Sequence, residues 1–279
     1  MNDRLANRIL DHIRGQSELL VSLLRDLVSA ESPSAEPAVH ERARHLFMSA
    51  LIELGWHVVE AGPVDGPRHV YARPARRKKG GRTQLVIGHY DTVWPVGTVA
   101  DRPFTVEGNV IRGPGVFDMK GGLVQLILAI KTLQELGLEP DITPVVFVNA
   151  DEEIGSRTST RYIRMLARSA NRALVLEPAL GDDGHLKTER KGIGRFTVTV
   201  HGKAAHAGLD PTGGASAILE LSHVIQKLFA MNDPDRGITI NVGTIDGGVQ
   251  PNVIAPHSTA VVDVRVPTVV EGDRIEKLI

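Results

Sequence analysis

The chain has 279 residues, enough for a full hydrophobic core in one large domain or two smaller ones. Its 32 basic and 33 acidic side chains leave a formal charge of -1, so no basic field is available to hold nucleic acid or an anionic membrane, and small-molecule chemistry is the better expectation. It has no cysteine, which excludes a disulfide framework, thiolate zinc sites and a cysteine nucleophile; any metal must be held by His, Asp and Glu.

The opening MNDRLANRILDHIRGQ alternates charges with apolar residues at helical spacing and lacks the uninterrupted apolar core of a secretory signal. Runs such as LVQLILAI are too short to span a bilayer, and the expected location is cytoplasmic. Residues 3–29 and 38–54 carry apolar positions three and four apart and predict two helices, with ESPSAEP between them as a loop holding helix-start residues. Short strands are predicted at WHVVEA, HVYARP and TQLVIG, and the basic turn RRKKGG before the last reads as a solvated hairpin tip. KGGLVQLILAIKTLQELG predicts a helix closed by Gly137. ITPVVFVNA is apolar on successive positions, as in a strand buried on both faces; a helix near 157–169 and the strand RALVLEP follow. Alternating strands and helices imply parallel strands joined by right-handed crossovers, an α/β domain over residues 1–188. From 189 the order β-α-β-β-α, with strands that alternate polar and apolar residues, predicts a separate small α+β domain of the split βαβ kind, ending at 279 in its second helix.

In an open α/β sheet ligands sit beyond the carboxyl ends of the strands. His89 and Asp91 follow TQLVIG, Asp118 follows the glycine-rich RGPGVFDMKGG loop, Asp151, Glu152 and Glu153 follow VVFVNA, and Glu177 follows ALVL. Any one of these is most simply a turn former or a helix cap. Together they form a ligand set for divalent cations of the zinc, manganese or cobalt type, since clustered carboxylates repel unless a cation neutralises them. His89, Asp118, Glu153 and Glu177, one of them bridging, suit a pair of metals that activate a shared water. The spacing His89-x-Asp91 allows Asp91 to hydrogen-bond the ring nitrogen that is not used for metal. The glycines at 113, 115, 121 and 122 match neither a Walker nor a dinucleotide pattern, and close backbone approach to the site explains them better.

The motifs GHYDTVWPVGT, GPGVFDMKGG, NADEEIGS, LEPA and GKAAHAG, in this order, resemble the dinuclear zinc metallopeptidases and amidohydrolases that include carboxypeptidase G, aminoacylase, acetylornithine deacetylase and succinyl-diaminopimelate desuccinylase. The resemblance covers about residues 10–279 and is most like the glutamate carboxypeptidase branch. It implies that His89 and Glu177 bind one metal, Glu153 the other, Asp118 both, that Asp91 orients His89, and that Glu152 is the general base. It further implies that residues 189–279 are a lid and dimerisation domain, in which His206 supports the oxyanion at the partner subunit's site, and Asn252 and Arg265 hold the substrate's terminal carboxylate. Without the resemblance, Arg265 reads as a solvated residue on a sheet face.

The expected activity is hydrolysis of an amide bond beside a free carboxylate by a homodimeric metallocarboxypeptidase. N-acyl amino acid deacylation or dipeptide cleavage is the alternative, and a catalytically silent metal-binding protein the alternative of another class. Members of the family run well past this length and supply a further histidine ligand for the Glu153 metal, so the chain reads as C-terminally truncated; His201, His206, His223 and His257 do not replace that ligand.

Overall fold

A computed structural model describes residues 3–76, 80–181 and 183–279. The chain forms two compact units, Met1–Ala179 and Leu180–Ile279.

In the first unit the predicted first helix divides at Gly15 into α1 (Asp3–Arg14) and α2 (Ser17–Ser29). A single 3-10 turn then leads to α3 (Glu41–Glu53). Strands β1 (Trp56–Ala61), β2 (His69–Pro74) and β3 (Thr83–His89) follow. The short helix α4 (Thr98–Asp101) precedes a small hairpin of β4 (Thr105–Glu107) and β5 (Val110–Arg112) that periodicity did not predict, because each strand is only three residues long. A wide turn, Val116–Lys120, opens the long α5 (Gly121–Glu135). The unit closes with β6 (Thr143–Asn149), α6 (Thr160–Ser169) and β7 (Arg172–Val175).

The sheet order is β1-β2-β6-β3-β7, in which β3 pairs in parallel with both β6 and β7 while β1 and β2 form an antiparallel edge. Since β2 lies beside β6, the basic segment between β2 and β3 is no hairpin tip; its residues 77–79 lie outside the described residues. Successive side chains of a strand face opposite ways, and here both faces are covered. Val86, Val146 and Val148 pack with Leu24, Phe47 and Leu123 of α2, α3 and α5, whereas Leu85, Val145 and Phe147 meet Tyr162, Ile163 and Leu166 of α6. That explains why the β6 segment is apolar without alternation. Gly137, at φ 64°, ends α5 as expected, with Leu138 N–H donating back to the Leu133 carbonyl at 2.8 Å.

The second unit contains β8 (Gly192–His201), α7 (Ala217–Ala230), β9 (Thr239–Gly247), β10 (His257–Val266) and α8 (Val269–Leu278), in an antiparallel sheet of order β8-β10-β9. One face of β10, Val262, Val264 and Val266, is buried with Leu228 of α7 and Ile275 of α8. Ser216 and Thr268 cap the two helices by accepting the backbone N–H three residues on. This is the predicted β-α-β-β-α module.

Candidate metal centre

The parallel register sets the carboxyl ends of three strands level: His89 pairs with Asn149, and Ile87 with Val175. Each strand therefore delivers its next residues to one edge, His89 and Asp91 from β3, Asp151 to Glu153 from β6 and Glu177 from β7. The Asp118 turn reaches the same edge. Gly115 sits at φ +69°, where an added Cβ would lie 2.7 Å from Thr92 Cγ2, and a Cβ at Gly122 would lie 2.2 Å from the Leu176 carbonyl. The glycines thus let the turn press on the neighbouring strand exits; the close approach expected toward a metal is an approach to backbone.

His89 is buried, and its Nδ1 lies 2.9 Å from the Asp91 carbonyl oxygen. A carbonyl can only accept, so Nδ1 carries a proton and donates, which aims Nε2 at the cluster. Around Nε2 stand Asp118 Oδ1 at 3.1 Å, Glu177 Oε1 at 3.4 Å and Glu152 Oε2 at 4.0 Å. Two sets of donor atoms, His89 with Glu152 and Glu177, and His89 with Asp118 and Glu153, each lie within 4.8 Å of one another.

The electrostatics are those of a site short of positive charge. Burial opposes a charge on His89, yet Asp118, Asp91 and Glu177 outweigh it and push the imidazole up to about 12. Burial and then the Asp118 charge push Glu153 up to about 7. Glu152 is raised by burial and by the charge of Glu177, with His89 acting the other way. Divalent cations fit this donor set: one imidazole lone pair and four carboxylates brought by three loops to one edge.

Asp91 does more than spacing suggested. Its carbonyl accepts from His89, with carboxylate Oδ1 3.5 Å from the same ring nitrogen, while Oδ1 accepts Glu152 N–H and Oδ2 accepts Glu153 N–H, both at 3.2 Å. Asp151 points away from the cluster and braces the loop beneath it. Its carboxylate accepts from Thr158 N–H and Oγ1 at 2.7 Å, Ser159 N–H at 3.2 Å, Ser159 Oγ at 2.6 Å and Asn149 Nδ2 at 3.3 Å. Burial works against this charge, and the Ser159 and Thr158 donors overcome it, holding the carboxyl below its ordinary value. Buried His69, which local sequence gave no reason to select, joins the brace by accepting Ala150 N–H and contacting Thr158 Oγ1 at 3.0 Å. Asp151→Ala orphans several buried donors at about 1–3 kcal/mol each, so a markedly lowered denaturant midpoint is expected; an unchanged midpoint would count against the brace.

The second unit holds the remaining predicted residues. His206 forms a bridge with Val253, and Ala207 N–H donates to the Asn252 carbonyl, so His206 and Asn252 lie side by side and exposed. The His206 Nδ1 accepts from the backbone N–H groups of Gly208 and Leu209 at 3.2 Å, which leaves its proton on Nε2. Arg265 is not brought to them. It lies eight residues along β10 from His257, about 26 Å at strand spacing, and its guanidinium forks onto Asp263 at 2.7 and 3.3 Å. The i,i+2 spacing of Asp263 and Arg265, which shares one strand face, was the signal for that pairing.

Residues 188–279 match the family described as Peptidase dimerisation domain. Over 249 residues the chain is 32% identical to carboxypeptidase G2 of Pseudomonas sp. (strain RS-16), covering 88% of this chain and 59% of that protein. Over 268 residues it is 26% identical to acetylornithine deacetylase of Pectobacterium carotovorum, covering 88% of this chain and 67% of that protein. A tripeptidase from Staphylococcus aureus shares the fold with a TM-score of 0.74 at 19% identity, over 92% of this chain and 68% of that one. An M20 family metallo-carboxypeptidase from Sulfolobus solfataricus does so with 0.68 at 19%, over 90% and 71%. The chain spans about three fifths of the curated relatives it matches, 59% and 62% for the first two. In sequence the chain is similar to carboxypeptidase G2 and acetylornithine deacetylase, and in fold to solved peptidases that include an M20 family metallo-carboxypeptidase.

Proposed function

We propose that the whole protein is a metal-dependent hydrolase that cleaves an amide or peptide bond beside a free carboxylate, as a glutamate carboxypeptidase does. The observation that carries this reading is the convergence of Asp118, Glu152, Glu153 and Glu177 around the Nε2 of one buried histidine, His89. His89 and Glu177 would hold one divalent cation, Glu153 the other and Asp118 both; the ligand types favour zinc, with cobalt or manganese as alternatives. Such a pair supplies Lewis acidity toward the scissile carbonyl and acidifies the attacking water. Glu152 takes a proton from that water at its carboxylate oxygen and returns it to the leaving amine, a task that suits a carboxylate raised above its ordinary range by burial. Asp91 fixes the His89 tautomer through its carbonyl and the two glutamates through its carboxylate.

The match of residues 188–279 to a peptidase dimerisation domain supports a homodimer through this region, with the His206 Nε2–H available to a developing oxyanion and Asn252 to a substrate carboxylate. The committed partner of Arg265 in this chain is Asp263, so Asn252 is the better-supported anchor. Among the described residues no helix is long and apolar enough to cross a membrane; the cytoplasmic location is proposed from the sequence. Carboxypeptidase G2 among the relatives favours an acyl-glutamate substrate, and acetylornithine deacetylase favours the second reading, an N-acyl amino acid. Zinc-loaded whole protein should release glutamate from acyl- or pteroyl-glutamates faster than acetate from acetyl-amino acids. The reverse order would select the deacylase reading, and binding of metal without turnover on either set, or on dipeptides, would sink both.

A further inference from the structure

The connector between α2 and α3, residues 30–36, touches the loops that carry the site. The carbonyls of Leu27 and Ala30 both accept the buried Lys120 Nζ at 2.9 Å, which ties down the turn that bears Asp118. The Glu31 carboxylate accepts Gly97 N–H and Val99 N–H, each at 2.9 Å, and so holds the loop beyond Asp91. Ser32 Oγ donates to the Tyr90 carbonyl at 2.6 Å, Thr92 N–H donates to the Ser32 carbonyl at 2.8 Å, and Ser34 N–H donates to the Thr92 carbonyl at 3.0 Å. The connector thereby runs beside the exit of β3 as an added extended segment. Ser34, 4% exposed, turns its hydroxyl inward and donates to Asp91 Oδ2 at 2.6 Å, the shorter of its two contacts, with the Thr92 carbonyl oxygen at 3.2 Å.

That bond completes a chain of contacts. The same Oδ2 accepts Glu153 N–H, and its companion Oδ1 accepts Glu152 N–H. We propose that Ser34 is a positioning residue for the two successive glutamates: its hydroxyl locks the Asp91 carboxylate, which in turn sets the backbone direction of both Glu152 and Glu153. Two adjacent acids repel, and among the described residues neither side chain accepts a hydrogen bond, the nearest donor being His89 Nε2 at 4.0 Å from Glu152; their aim comes from the amides, and one carboxylate holds both amides. An O–H donor 2.6 Å from a carboxylate oxygen is a short, charge-assisted bond, and removing it leaves the last torsion of the buried Asp91 carboxylate held only by the two longer amide bonds and the neighbouring His89 ring. Ser32 is the internal comparison. It is equally buried and anchors the same connector to the same strand exit, but its hydroxyl ends on a backbone carbonyl and reaches no acid of the site.

The consequence for catalysis rests on the proposed metal-hydrolase reading, while the positioning itself is measurable without metal. Hydrogen exchange of the Glu152 and Glu153 amides in metal-free protein is the test. Ser34→Ala should speed exchange at both amides about tenfold or more, and Ser32→Ala, with a similar loss of overall stability, should leave both unchanged. Ser34→Thr and Ser34→Val have nearly the same shape and differ in the hydroxyl, so protection should survive in the first and be lost in the second, even if Ala at this site loosens the fold. Equal protection in the Thr and Val variants would overturn the proposal. In zinc-loaded protein, Ser34→Val should bind metal about 10–100-fold more weakly than Ser34→Thr. Wild-type protein that takes up no zinc would overturn the metal reading, with the amide result still deciding the role of Ser34.

Discussion

Glu152→Gln is expected to leave the metal content of the protein near that of wild type and to lower kcat by about 10²–10⁴-fold, the usual worth of a general base. The substitution keeps size and shape but replaces a proton acceptor with an amide. Glu152 Oε2 lies 4.0 Å from His89 Nε2, farther than Asp118 or Glu177, and its side chain is 44% exposed, so it borders the cluster on the side open to water. Metal analysis and steady-state kinetics on the same sample separate the roles. Turnover close to wild type would remove Glu152 as the base, whereas loss of metal together with turnover would make it a ligand.

Asp118→Ala is expected to weaken metal binding by far more than the 10–100-fold typical of a residue behind the ligands, because Asp118 is the carboxylate that faces His89 within one donor set together with Glu153. The protonation of the metal-free site gives this prediction a second readout. With His89 pushed up to about 12 and Glu153 to about 7, the imidazole carries a proton near neutral pH and Glu153 carries part of one. A cation needs the lone pair and the ionised carboxylate, so binding must expel protons and affinity must rise with pH through the neutral range. Titration calorimetry in buffers of different ionisation enthalpy should register proton release on zinc binding to wild type and little heat of any kind with Asp118→Ala. Binding to wild type without proton release would contradict the geometry around His89 Nε2.

The five-stranded sheet and the acids at its edge were legible because their signals are local: apolar runs set the strands, and parallel connections force the residues after each strand to one edge. His89, Glu152, Glu153 and Glu177 come together for that reason, and the turn before α5 adds Asp118 to them. What escaped depends on contacts distant along the chain. The place of β2 beside β6 is a register fact that no local pattern in HVYARP encodes, and the hairpin reading of the basic segment failed with it. Ser34 looked like a residue that helps begin a helix, yet α3 starts only at Glu41 and the hydroxyl instead serves a carboxylate 57 positions later. His69 likewise reads as an ordinary strand residue, and only the fold puts it under the Asp151 loop. The pairing of Arg265 with Asp263 has a local signal: a strand places the two residues on one face, where opposite charges two residues apart meet.

The central claim is that these side chains hold two cations. Anomalous diffraction from crystals of the whole protein grown with zinc tests it most directly. The account predicts two peaks about 3.5–4 Å apart at the carboxyl edge of β3, one beside His89 Nε2 and Glu177, the other beside Glu153, with Asp118 between them. A single peak at this edge, or zinc bound only elsewhere, would contradict it.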